Sequence, residues 1–175
     1  MKLAILRVFL FSPMANLVQI TKYLKQKKLL YKIVDLGEQI FTVRGVAAAG
    51  VNRNEIVKTL IIRFEPKSSP GLDRGYAALA VRGKDRVDFK KVRRLFGSKS
   101  GLATEDEVQR ICKVPVGAVC PILLDIPVYF DQKVMNFSHV NMGSGDLTKG
   151  LEMDLEDLLK AVGKYRVEDL VSVAS

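Results

Sequence analysis

The chain has 175 residues, of which 48 % are apolar and 27 % charged; that is enough for one full core and excludes a disordered tail. Its formal net charge of +9 points to a polyanionic partner such as RNA, or to a surface charged for solubility. Trp is absent and aromatics are 7 %, which argues against a platform of stacked rings, and Cys112 and Cys120 have no histidine near them, so zinc spacing is missing and a reduced, cytoplasmic setting is the simplest.

The N-terminal Lys2-Leu3-Ala4-Ile5-Leu6 faintly suggests a signal peptide, but Arg7 interrupts it and no clean cleavage site follows. A strand or short packed segment is expected there. No apolar run approaches the ~20 residues of a membrane span, so no membrane partner is expected.

Leu17, Ile20 and Leu24 recur at helical spacing and predict a helix over Asn16 to Lys28. Tyr31 to Leu36 reads as a strand. Thr42 can cap a short helix over Val43 to Ala49 that Gly50 can end, and Asn52 or Asn54 can start one more turn. Lys58 to Phe64, rich in Leu and Ile, predicts a buried strand. The Pro, Gly and Ser cluster between Glu65 and Gly75 predicts a long turn into a second, antiparallel strand, Tyr76 to Val81.

Asp88 to Phe96 predicts a helix with Val92, Leu95 and Phe96 inward, Lys90, Lys91, Arg93 and Arg94 outward, and Gly97 as its stop. Thr104-Glu105-Asp106-Glu107 is a capping box opening a helix to about Cys112. Pro127 to Phe130 reads as a strand. Val140 to Met142 and Leu151 to Met153 flank a glycine-rich turn, and Asp154 to Val162 is an amphipathic helix. The alternation is not a regular βαβ series. It predicts one α+β domain over residues 1–175, with a mixed sheet wrapped by helices.

Several chemistries are excluded by the residues themselves. His139 is the one histidine, so a two-histidine zinc motif is impossible. Gly97-Ser98-Lys99-Ser100 lacks the spacing of a phosphate-binding loop, and Gly143-Ser144-Gly145 lacks the third glycine of a dinucleotide fingerprint. No Gly-x-Ser-x-Gly elbow is present. No metal or organic cofactor is therefore expected. Two features remain: Lys58 at the mouth of an apolar strand, and the loop Val116-Gly117-Ala118-Val119-Cys120-Pro121. A fixed cation facing a turn of exposed backbone donors suits a phosphate-bearing ester. Cys120 reads as a small buried thiol or, less simply, a nucleophile, and Asp131 as a cap or turn residue.

The order of these features resembles the YbaK family, free-standing relatives of the editing domain inserted in bacterial prolyl-tRNA synthetases. Lys58-Thr59-Leu60 heads a strand, a Gly-x-x-x-Pro loop stands at 117 to 121, a strand leads to Asn141-Met142-Gly143-Ser144-Gly145, and Leu151-Glu152-Met153 precedes a Leu-rich helix. Thr42-Val43 and its alanine-rich helix also fit. The resemblance covers about residues 16–163, and it implies that the mixed sheet is strongly curved and partly barrel-like.

It implies hydrolysis of mischarged aminoacyl-tRNA, with alanine, cysteine or serine as the wrong amino acid. It also implies Lys58 near the terminal adenosine and a loop, Gly117 to Pro121, that holds the aminoacyl group by its backbone. Water attacks, a ribose hydroxyl of the substrate assists, and no protein nucleophile is used. On this reading Ala118, Val119, Cys120, Pro121, Gly143, Ser144 and Gly145 border the substrate. His139 is a further candidate for the substrate pocket, one residue out of register with a histidine that some members carry after Asn-Phe, or else a satisfied structural histidine. Lys90, Lys91, Arg93 and Arg94 would hold the tRNA, and a synthetase is a possible partner. The alternatives are a tRNA-binding module of this fold without turnover, and a hydrolase of small esters or amides. The first has no turnover to lose, and the second would be indifferent to salt.

Overall fold

The structure, a computed structural model, describes residues 15–66 and 75–173. The N-terminal segment and most of the turn-rich connection after Glu65 lie outside the described residues.

The helices begin where side chains can satisfy the free N–H groups of a first turn. Asn16 accepts from Gln19 N at 3.0 Å and opens α1, Leu17–Gln26, whose Ile20 and Leu24 are fully buried. Thr42 accepts from Gly45 N and opens α2, Val43–Ala48. Asp88 caps α3, Phe89–Phe96, and Gly97 ends it in the left-handed region at φ +63°. The capping box forms in full at the start of α4, Glu105–Cys112. The last helix, α5, spans Leu155–Val162.

The strands form two sheets. Numbered in chain order, β1 is Lys32–Asp35, β2 Val57–Phe64, β3 Gly75–Arg82, β4 Ser100–Leu102, β5 Val128–Asp131, β6 His139–Gly143, β7 Lys149–Asp154 and β8 Arg166–Glu168. A five-stranded mixed sheet runs β4-β2-β3-β5-β8; β2 pairs antiparallel with β3 and β4, and β3-β5-β8 are parallel. An antiparallel sheet runs β1-β7-β6. The sequence predicts one mixed sheet. In the structure it is divided in two, and one parallel bridge, Ile56 with Asn141, joins the halves.

A main core lies between the sheets and α1, α4 and α5, around Phe130, Ile122, Leu151 and Leu158. A second core lies under α3, where Phe64 stacks on Phe96 at 4.3 Å and Phe96 meets Tyr129 edge-on at 5.3 Å. Asp131 closes the C-terminal side of the sheet. Fully buried, its carboxylate accepts from Lys133 N at 2.9 Å and from Leu170 N at 2.8 Å.

Candidate active site

The site follows from the missing pairing between β2 and β6. In an antiparallel ladder a residue turns its N–H and C=O to one neighbour, and the next residue turns to the other. The Ile61 carbonyl accepts from Ala103 N beyond β4, so Val57 and Thr59 turn their backbone groups to that same side. Beside them, β4 has not yet begun and β6 stands instead, joined at Ile56 and Asn141. The gap is a cavity of about 270 Å³.

Its walls are β2 from Val57 to Leu60, β6 from Asn141 to Gly143, the loop at Val116, Gly117 and Val119, and the α2 end at Phe41, Thr42 and Val43. Lys58 and Gly117, 59 positions apart in sequence, thus border one space.

The Lys58 ammonium is held in place. It donates to the carbonyls of Gly83 at 3.1 Å and Asp85 at 2.5 Å. An ammonium has three donors, and the bonds among the described residues use two of them. Burial pushes the Lys58 pKa below the ordinary lysine value; the Asp85 charge pulls it partly back, and Arg86 pushes with burial. Burial, the largest single influence, raises the Asp85 carboxyl, but the Arg82 hydrogen bonds, at 2.6 and 3.0 Å, together with the charges of Arg82, Lys133 and Lys84 bring it below its ordinary value.

The Gly-x-x-x-Pro loop seats itself through glycines. Gly117 has φ +92°, and a Cβ there would stand 3.0 Å from Phe41 Cα. At Gly143 a Cβ would stand 2.5 Å from the Val119 carbonyl oxygen, so this glycine lets the loop lie directly on β6.

The residues named from sequence divide here. Lys58, Gly117, Val119 and Gly143 border the cavity. Ala118, Cys120, Pro121, Ser144, Gly145 and His139 do not. The Ala118 N–H is spent on the Pro115 carbonyl at 3.1 Å and its own carbonyl accepts from Gly145 N at 2.7 Å. Cys120 is fully buried, and burial pushes its thiol up to about 12, which makes it inert. Pro121 borders a different hollow, beside Tyr23 and Tyr165. Ser144 is fully buried, and its hydroxyl bonds within the turn, 2.6 Å from the Lys149 carbonyl. Gly145 turns at φ +86° against Asn16.

His139 lies 3.1 Å from Asp154 Oδ1 on the neighbouring strand. In α3, Lys90, Arg93 and Arg94 are exposed, whereas Lys91 is bound by both Asp169 oxygens at 2.8 Å and by the Val171 carbonyl at 2.7 Å.

Among the cavity residues that escape the sequence reading, two polar ones stand out. Asn141 is buried and donates to Glu152 Oε1 at 3.1 Å, over Gly150, which leaves its amide room. Its signal is a lone amide between Val140 and Met142 in an apolar strand. Asp146 borders the cavity from the turn after β6, and its signal is the spacing Asp146-Leu147-Thr148, which suits an aspartate turn.

The divided mixed sheet, with a lysine fixed at the gap and a glycine loop across it, makes a mixed α/β domain built around a cleft. The chain matches the aminoacyl-tRNA editing domain family over residues 38–161, and it belongs to that family. The proline–tRNA ligase of Desulfovibrio desulfuricans (strain ATCC 27774) is 30 % identical over 99 residues, 56 % of this chain and 16 % of that enzyme. The chain spans about one-sixth of the length of the curated ligases it matches. The uncharacterised protein YwhH of Bacillus subtilis (strain 168) is 28 % identical over 111 residues, 62 % of this chain and 66 % of that protein. A solved structure described as a candidate trans-editing enzyme for prolyl-tRNA synthetase superposes with a TM-score of 0.73 at 27 % identity, covering 93 % of this chain and 99 % of that one.

Proposed function

We propose that this protein is an aminoacyl-tRNA deacylase acting in trans, which hydrolyses the ester of tRNA mischarged with a small amino acid such as alanine, cysteine or serine. The observation that carries this reading is the fixed Lys58 ammonium and the Gly117 loop on the walls of one cavity, within a family-matched stretch. An aminoacyl ester is already activated, so positioning and charge stabilisation suffice. The third Lys58 proton serves an oxygen of the terminal adenosine or of the ester carbonyl. The Thr59 backbone edge and the loop at Gly117 and Val119 face the aminoacyl group, a role expected from sequence for the whole run to Pro121. Water attacks with help from a ribose hydroxyl. The exposed Lys90, Arg93 and Arg94 hold the acceptor end, a synthetase is a further partner, and the setting is the cytoplasm, where tRNA is charged.

The cavity size supports small side chains: adding one methylene to an occupant shifts binding by only ~1–3 kcal/mol, so steric exclusion works best in a small space. Incubating the purified protein with a panel of mischarged tRNAs tests the reading. Release of a small amino acid well above buffer hydrolysis is expected; absence of release across the panel would overturn it.

A further inference from the structure

The cavity carries charge of both signs. Lys58 and Lys149 are its lysines, and Asp146 is the carboxylate among the described residues that border it. The Lys149 ammonium is turned to Asp35 Oδ2 at 3.1 Å. The Asp146 carboxylate is bound at one oxygen only by the bonds the structure gives it: Oδ1 accepts from Thr148 N and from Thr148 Oγ1, both at 2.7 Å. These bonds, the backbone one first, hold the carboxyl below its ordinary pKa against the effect of burial. Its backbone is braced as well, since Asp146 N donates to Ser144 Oγ at 3.3 Å and that hydroxyl bonds the Lys149 carbonyl. A braced turn therefore sets an ionised carboxylate on the border of a cavity whose other bordering charges are Lys58 and the Asp35-paired Lys149.

An aminoacyl ester brings one obligatory cation, its α-ammonium, close to the reacting carbonyl. Placing that ammonium in a partly dry cavity beside two lysines is costly unless an anion meets it. Resting on the deacylase reading, we infer that Asp146 is a specificity-determining residue that anchors the substrate's α-ammonium. The cavity then selects aminoacyl esters with a free amine over esters whose α-nitrogen is acylated or replaced by oxygen. The substrate class is narrowed at the amine as well as at the side chain. Ser144, expected from sequence at the substrate, acts one step behind, as the brace of the turn that carries Asp146.

The test uses the best substrate from the mischarged panel and two relatives on the same tRNA, the α-hydroxy ester and the N-acetyl aminoacyl ester. The wild-type protein is expected to prefer the free amine by at least about tenfold in kcat/KM, the scale of one charge-assisted hydrogen bond. Asp146→Asn keeps an oxygen for the Thr148 N–H and hydroxyl but loses the charge. It should slow the free-amine substrate about tenfold or more and the α-hydroxy ester, which brings no charge, by much less. Asp146→Ser, whose hydroxyl can still accept from Thr148 N, is the second variant and should show the same selective loss.

Equal wild-type rates on free-amine and α-hydroxy esters would overturn the inference while leaving the deacylase reading intact. So would variants that slow both esters alike, the pattern of a merely structural aspartate. Wild-type turnover of none of the three would instead sink the deacylase reading, and the inference with it.

Discussion

The two halves of β2 have opposite surroundings. From Ile61 to Phe64 the strand is sealed: β4 pairs its edge, Ile62 is fully buried, and Phe64 joins the ring cluster with Phe96 and Tyr129. From Val57 to Leu60 the same strand borders a cavity and carries a lysine whose pKa burial has depressed. One eight-residue strand thus anchors the fold with one end and serves chemistry with the other. The lesson is that the cation is held from two directions, by its own strand and by the turn after β3. The strand's packed half fixes the backbone, and the carbonyls of Gly83 and Asp85 fix the ammonium.

The sharpest way to break this contrast is Lys58→Met. Deacylation should fall by about 10²-fold or more, the scale of losing one preorganised donor. Thermal stability should hold, since the variant removes a charge that burial disfavours. The pH dependence gives the sign. Because the folded pKa lies below the unfolded one, the unfolded chain binds more protons between the two. Wild-type stability therefore gains a rising contribution as pH climbs through that window toward the ordinary value of 10.5, and Lys58→Met should flatten it. Urea melts at a series of alkaline pH values would show this. Activity that needs the ammonium should decline below the ordinary lysine range, read from kcat/KM above buffer hydrolysis.

The complementary change is Ile62→Ala, at the sealed end. It should cost about 2–5 kcal/mol of stability by chemical denaturation and leave kcat on folded protein nearly unchanged. A large kcat loss would show that the two halves are coupled.

Gly143→Ala tests the junction between them. A methyl 2.5 Å from the Val119 carbonyl must displace the loop, at a cost of about 1–3 kcal/mol, with a several-fold drop in kcat/KM. The smallest effect is expected from replacing Lys90, Arg93 and Arg94 together by alanine. Binding to uncharged tRNA should weaken a few-fold and its salt dependence should flatten, by about 0.7–0.9 in slope for each phosphate no longer neutralised. Lys91→Ala, by contrast, should lower stability, because that ammonium holds Asp169 and Val171.

Much of the framework was legible in sequence because caps and periodic apolar residues are local signals. Asn16, Thr42, Asp88, Thr104 and Gly97 all mark boundaries that the structure places within a residue or two. The three-residue strands Ser100–Leu102 and Arg166–Glu168 are too short to show a period of two, and only their partners define them. The site was half legible. Lys58 and Gly117 stand out by type, but which residues of a loop face a cavity depends on what lies behind it. Cys120 turns into the main core, and the Ser144 hydroxyl is spent inside its own turn. Asn141 and Asp146 were missed because a single polar residue in a strand or turn reads as structure until the space beside it is known.

The buried Asp131 carboxylate carries a practical consequence. The family-matched stretch ends at residue 161, yet one acceptor oxygen of this aspartate is met by Leu170 N, and Leu170 and Val171 fill the second core. A polypeptide trimmed at that boundary would strand a charge in the interior and uncover the face beneath α3. The contacts that hold this domain reach past the family-matched stretch, and any swap of it into another protein should carry the tail through Ser172.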